Sequence, residues 1–563
     1  VGRLHRHRQS WSAVLVAATL VLAGCSSDER GAPGPEVEGA STSAAPDVAA
    51  DEANWAPPEC DVAAPDPVAT ETVPGVPHDL VLTSFDDTPL RIHWFPDPAA
   101  TAEQPSPTVL MGPGWGLAGD TASSSVGILG SVDVQSLRAA GYNVLTWDPR
   151  GFGRSGGVAT VNDPEREGRD VQRMLDWVAE QPVARTDANG DPRVGMVGGS
   201  YGGGIQLVAA AIDCRVDAIV PVMAWHSLGT SLYRSETVKT GWAGILSRLP
   251  TGAVTDAHID SAYSDGIVEG SLTDEDLEWF LSRGPGELVE QVRVPTLLIQ
   301  GTVDTLFTLD EALTNLEILE SNGVPSAMLW FCGGHGICLT DEGDPERVST
   351  ATLAWLDRWV EGDESVDTGP RIDLIVQTGD RYTASAFPEP SSTVTASGSG
   401  TLELIELGGS GPVWPAFGSG GLVGGIAAPV TPARAEHAVE VKVPFDEDEL
   451  VIGSPRLTLT YTGTTPDGVR PTRVFAQLVD DATGHVLDNQ VTPVPLELDG
   501  REHTVEVPME VVSFAASAGG SVTLQVVATT VAYAQPRLGG EVELSRIEVA
   551  LPVVDGLSPA TAD

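Results

Sequence analysis

Three residue types that together can activate an alcohol occur in one order along this chain: Ser200, Asp304 and His335. Ser200 lies in RVGMVGGSYGGGIQLVAAA, where an apolar run with the character of a buried strand ends in Gly198-Gly199-Ser200-Tyr201-Gly202 and a helical pattern follows at once. Gly-x-Ser-x-Gly between a strand and a helix makes a crowded elbow, and its glycines let the serine hydroxyl stand clear at the helix N-terminus. A serine hydroxyl alone is a poor nucleophile, so an imidazole base and an orienting carboxylate must converge on it. TLLIQGTVDTLF puts Asp304 just past one apolar run, and AMLWFCGGHGIC puts His335 just past the next.

Other histidines are worse placed. His93 falls in an early hairpin, His258 in a helical insert, and His437, His485 and His503 in a β-rich region. His226 follows an apolar run ending near Met223 and is expected to line a substrate pocket beside Trp225. Asp310 and Glu311 are alternatives to Asp304, but their place in TLDEALTNLEIL suits the first turn of a helix. Acyl transfer also needs donors for the developing oxyanion. The N–H of Tyr201 is the expected first donor, and the N–H of Trp115, in the strand-end loop MGPGWG, the expected second.

Elements that could position these groups alternate. TVLM, NVLTW, RVGMV, DAIVPVM, TLLIQG and AMLWF are candidate buried strands, and Val171, Met174, Leu175 and Val178 share one face of a helix between two of them. Strand-helix alternation implies a mostly parallel sheet covered on both faces, here an α/β-hydrolase fold over 69–369. The stretch 226–293 lacks an obvious strand and is expected to be a helical cap, with Thr273 and Asp276 as a capping box. From 370 to 557, segments such as PRLTLTYTG alternate with period two, implying an all-β sandwich domain. DANGD resembles a fragment of a calcium loop but is expected to be a turn.

The first 24 residues carry Arg3, Arg6 and Arg8, then an apolar run too short for a membrane span, and end at LAGC. That ending resembles the bacterial lipoprotein box, which implies an exported chain with lipid on Cys25, tethered to the membrane through the flexible, polar linker 25–68. An ordinary secretory signal is the alternative. In an oxidising compartment the four cysteines left can form two disulfides. The short loop favours Cys332–Cys338, leaving Cys60 for Cys214. A zinc site of Cys332, His335 and Cys338 would lack a fourth ligand, so no metal and no cofactor is expected. With 31 Lys and Arg against 79 Asp and Glu, the formal charge of −48 excludes a nucleic-acid partner.

WDPRGFGRSGG, GGSYGGG, GTVDTLF and GGHG, in that order and followed by a β-rich region, resemble the Xaa-Pro dipeptidyl-peptidase and cocaine-esterase-like family of serine hydrolases. The resemblance implies Ser200 as nucleophile, Asp304 as acid, His335 as base, and a jelly-roll C-terminal domain packed beside the catalytic mouth. It further implies a small ester or short peptide as substrate. Esterases of the family use a tyrosine hydroxyl in the oxyanion loop, where this chain has Gly114-Trp115-Gly116. Exopeptidase activity would call for carboxylates to hold a free amine, and Glu236, Asp256, Asp260 and Asp265 in the cap are candidates. A surface lipoprotein that binds ligand through the β sandwich on an inactive hydrolase scaffold is the rival reading.

Overall fold

The computed structural model describes residues 55–57, 60, 72–124, 131–249, 252–413, 426–465 and 471–560. The expected signal, Cys25 and most of the expected linker lie outside the described residues. Ten strands build the main sheet: β1 His78–Thr83, β2 Pro89–Phe95, β3 Thr108–Gly112, β4 Asn143–Trp147, β5 Val194–Gly199, β6 Val216–Val222, β7 Thr296–Gly301, β8 Ser326–Phe331, β9 Ile372–Ile375 and β10 Arg381–Ala384. Their spatial order is β1-β2-β4-β3-β5-β6-β7-β8-β9-β10, with Ser558–Pro559 as an eleventh strand on β10. From β4 to β9 every pairing is parallel.

Parallel strands covered on both faces must be apolar throughout, and every residue of β7 and β8 is buried. The helix Arg169–Ala179 turns Val171, Met174, Leu175 and Val178 into the core, the face its spacing predicts. Because all these strands run the same way, the loops after β5, β7 and β8 leave from one edge of the sheet.

The region 226–293 holds the helices Leu228–Leu232, Thr240–Leu246, Ala257–Val268 and Asp274–Leu281. Thr273 caps the last of these by accepting the Asp276 N–H at 3.1 Å. A two-stranded hairpin, Tyr233–Arg234 with Thr237–Val238, also lies here, in a stretch read as purely helical. Its pairs are too short to leave a period-two signal.

The expected boundary at 370 falls inside the main sheet, because β9 continues the parallel array and β10 folds back on it. RIDLIVQTGDRYTA alternates like the hairpins beyond it, so its pattern says nothing about which sheet it joins. Past it lie two separate sheets. In one, His503–Pro508, Arg456–Thr464, Glu541–Val554, Glu449–Gly453 and Val512–Ala516 run side by side, with Pro390–Glu403 also pairing with Glu541–Val554. In the other the order is Val439–Pro444, Ser521–Val527, Pro471–Asp480, Thr492–Glu497. A common apolar core that includes Val441, Leu457, Leu459, Leu524 and Ile547 joins them. Among the described residues no helix is long and apolar enough to cross a membrane.

Candidate active site

The elbow begins where β5 runs out. Ser200 sits at φ 58° and ψ −117°, a conformation L-residues rarely adopt, and the helix Tyr201–Ile212 starts immediately after it. Crowding explains the glycines on either side: a Cβ on Gly198 would lie 2.6 Å from the Gly112 carbonyl oxygen, and one on Gly202 only 2.2 Å from it. The Ser200 N–H donates to Val222 O at 2.8 Å, and its carbonyl accepts from Gly203 and Gly204.

Asp304 follows β7 and is fully buried. Its Oδ1 accepts from the N–H groups of Leu306 and Phe307 at 2.9 and 2.8 Å. Its Oδ2 accepts from the His335 N–H at 3.1 Å and lies 2.7 Å from His335 Nδ1. On the other side of the ring, Nε2 is 2.9 Å from Ser200 Oγ. A carboxylate on Nδ1 selects the tautomer protonated there, which leaves Nε2 free to accept the serine proton. The ring is wedged between the edges of Trp242 and Phe307.

The two loops touch backbone to backbone. A Cβ on Gly336 would stand 1.6 Å from Val303 O, one on Gly301 2.2 Å from Gly333 O, and one on Gly334 2.7 Å from Asp304 Cβ. Cys332 and Cys338 are joined, closing the histidine loop at a Cα–Cα distance of 5.4 Å, and Cys60 is joined to Cys214. With both sulfurs of the loop bonded to each other, neither is left as a thiolate for a metal.

Tyr201, first in its helix, has no intrahelical acceptor for its N–H. Its peptide is held by a buried network absent from the sequence reading. Asn162 Nδ2 donates to Tyr201 O at 2.8 Å, and the Tyr201 hydroxyl donates to Glu167 at 3.1 Å. Burial pushes the Glu167 carboxyl up from its ordinary range, and Thr160 donates to it through both N–H and hydroxyl. Trp115 packs edge-on to Phe152 and Tyr201 and ties its indole N–H to Leu246 O of the cap at 2.9 Å. Trp115 and Ser200 both line the two cavities that meet on the Ser200 Oγ side of the sheet edge.

One of these cavities, of about 100 Å³, lies under the cap. Its walls include Val161, Trp225, Leu228, Leu232, Phe280 and Phe307, and none of its lining residues is charged. Of the two residues expected to line a substrate pocket, Trp225 lines this cavity and His226 does not. The His226 ring turns away to Asn315 Oδ1 at 2.9 Å, while its N–H donates to Glu311 at 2.8 Å. Glu311, buried at the start of its helix, draws the backbone after β6 toward itself. Of the cap acids, none of Glu236, Asp256, Asp260 and Asp265 lines this cavity, and Asp256 caps its own helix. His93 lies between Asp79 and Asp148 at 2.6 and 3.3 Å.

Residues 90–336 match the family model described as X-Pro dipeptidyl-peptidase (S15 family). Dipeptidyl aminopeptidase BIII of Pseudoxanthomonas mexicana is 27% identical over 247 residues, 42% of this chain and 31% of that protein. The chain spans about half or less of the length of most of the curated relatives it matches. Among solved structures, a CocE/NonD family hydrolase from Staphylococcus aureus superposes with a TM-score of 0.61 at 14% identity, covering 84% of this chain and 93% of that one. An α-amino acid ester hydrolase gives 0.62 at 12% identity, covering 88% and 100%. Residues 90–336 thus carry the match to the X-Pro dipeptidyl-peptidase (S15) family model, on an α/β-hydrolase fold like that of the CocE/NonD structures.

Proposed function

We propose that this chain is an exported, lipid-anchored hydrolase that cleaves an acyl ester through Ser200, His335 and Asp304. The observation that carries the reading is the unbroken relay from Ser200 Oγ to His335 Nε2 and from His335 Nδ1 to Asp304 Oδ2, at 2.9 and 2.7 Å. His335 Nε2 takes the Oγ proton as Oγ bonds to the substrate carbonyl carbon, and the buried carboxylate stabilises the imidazolium that forms. The N–H groups of Tyr201 and Trp115 receive the oxyanion. Collapse breaks the bond to the leaving alcohol, which takes its proton from His335. Water, deprotonated by His335, then attacks the acyl carbon and restores the serine.

The family also contains peptidases, so an amide or dipeptide substrate is the second reading. The wall under the cap supports the ester. A free α-ammonium enters an apolar cavity only at a large desolvation cost unless a carboxylate meets it, and no wall residue supplies one. An uncharged acyl chain meets the opposite situation, because burying each methylene there contributes about 0.8 kcal/mol. The two-sheet region is read as the jelly-roll domain of the family. Lipid anchoring is supported by LAGC at Cys25, and export by the two disulfides.

The test is a pair of substrates, an aryl hexanoate and Gly-Pro-anilide, with the full chain and with Ser200→Ala. Hydrolysis of the hexanoate that vanishes in Ser200→Ala is expected. Anilide hydrolysis far faster than ester hydrolysis would reverse the choice of substrate, and activity that survives in Ser200→Ala would end the mechanism. For the anchor, Cys25→Ala is expected to release the protein from the membrane fraction, and unchanged fractionation would refute it.

A further inference from the structure

The β region reaches into the catalytic edge at one turn. Asn489 and Gln490, 2% and 6% exposed, are adjacent in the chain, and each uses its side-chain amide to hold a backbone carbonyl of a different catalytic loop. Asn489 Nδ2 donates to Ile337 O at 2.9 Å, two residues beyond His335. Gln490 Nε2 donates to the carbonyl of Asp304 itself, also at 2.9 Å.

The turn is built to aim them. Asp488 and Asn489 both lie in the left-handed region, at φ 48° and 57°, which is costly for residues with a side chain. Partners on a neighbouring turn and a neighbouring strand hold Asp488 there. Gln377 Oε1 accepts the Asp488 N–H at 2.7 Å, and an oxygen of the Asp488 carboxyl group accepts from the N–H and hydroxyl of Ser513. The region grips the acid loop a second time, where Thr308 donates to Glu510 at 3.0 Å and the Val511 N–H donates to Asp310 at 3.2 Å.

Such outside support matters because the two loops meet at Gly301, Gly334 and Gly336, which have no side chains of their own to lock the register. The 2.7 Å contact between Asp304 Oδ2 and His335 Nδ1 depends on that register.

We propose that Asn489 and Gln490 are positioning residues that set the acid–base pair of the active site, so that the β region completes the catalytic machinery. The proposal rests on the Ser200-His335-Asp304 reading above. Removing either amide leaves a buried carbonyl without its donor and frees one loop to slide against the other. A displacement of about 1 Å in such a group costs roughly a hundredfold in rate.

The test uses Asn489→Leu and Gln490→Met in the full chain, with active sites counted by a fluorophosphonate and hydrolysis followed on an aryl hexanoate. Per titrated site, kcat is expected to fall about ten- to a hundredfold while KM stays within about twofold. The acid limb of the kcat/KM profile is expected to move to lower pH, because an imidazole farther from its carboxylate is easier to deprotonate. Lower thermal stability with unchanged kcat per site and an unmoved acid limb would overturn the proposal, leaving the amides a structural role only. If either variant fails to fold, Asn489→Ala and Gln490→Ala, which remove the donor without adding charge, supply the same readout. If Ser200→Ala keeps its activity, the triad reading fails; if Ser200→Ala is dead while the amide variants match wild type, only the present proposal fails.

Discussion

Of the corners that hold side-chain-bearing residues in left-handed backbone, two use it in opposite ways. At the nucleophile elbow, Ser200 at φ 58° is turned outward, so strain exposes a hydroxyl above the sheet edge. At the turn of the β region, Asp488 and Asn489 at φ 48° and 57° are fully buried, so strain there aims an amide inward at another loop. The elbow is surrounded by glycines that cannot accept a Cβ, whereas the turn is surrounded by polar partners that bond to it. Strain that presents a reactive atom is tolerated through close backbone packing, and strain that braces a loop is compensated by hydrogen bonds.

Glycine at each corner separates the two uses. Ser200→Gly removes the proposed nucleophile and the strain together. Hydrolysis is expected to fall by about 10⁵-fold, while unfolding by urea shows a gain of about 1 kcal/mol. Asn489→Gly also relieves strain but leaves the Ile337 carbonyl unpaired, so a net loss of about 1–2 kcal/mol is expected in the same unfolding measurement. If both variants gained stability, the turn would be strained for no structural return and the contrast would fail.

The staple on the histidine loop is a second, smaller lever. Cys332→Ser with Cys338→Ser opens a loop whose ends are 6 residues apart in sequence. Chain entropy gives about 2 kcal/mol for so short a loop. Thermal unfolding is expected to register that loss, and kcat to fall only several-fold, because the glycine contacts and Asn489 still hold the loop. A collapse of activity comparable to Ser200→Gly would transfer the bracing role from the β region to the disulfide.

A last expected effect is in pH dependence. Burial pushes the Asp488 carboxyl up to about 8. Its native pKa is raised above the unfolded value, so the stability it contributes is complete below pH 4 and is lost as pH rises through about 8. The slope contributed is at most about 1.4 kcal/mol per pH unit. Asp488→Asn, which mimics the neutral acid, is expected to flatten the decline in urea midpoint over that window; an unchanged decline would assign it to other groups.

Some of this was legible in the chain before any coordinates. GGSYGGG stood out because a strand, a serine and a helix must share five residues, which leaves glycine as the affordable neighbour. Asp304 and His335 could be ranked above competitors because each follows an apolar run within a few residues. Helix 169–179 was readable for the same local reason. The bracing residues were not, since Gln490 and Asp304 are 186 positions apart and no periodicity links them. Asn162 and Glu167 were missed because a buried acid in EREG looks like any solvated one until Thr160 and Tyr201 are seen on it. His226 was misdirected for a related reason: position after β6 places a backbone, but Glu311 and Asn315 decide where the ring goes. The sheet boundary near 370 was displaced because period-two alternation marks a strand without naming its partner.

The central claim is that one serine is activated by one imidazole held on a buried carboxylate. Fluorophosphonate labelling followed by peptide mass spectrometry measures this most directly. A single adduct on the peptide containing Ser200 is expected, absent in Ser200→Ala and slowed by about 10³-fold or more in His335→Ala. A folded protein that stays unlabelled, or one labelled equally well without His335, would contradict it.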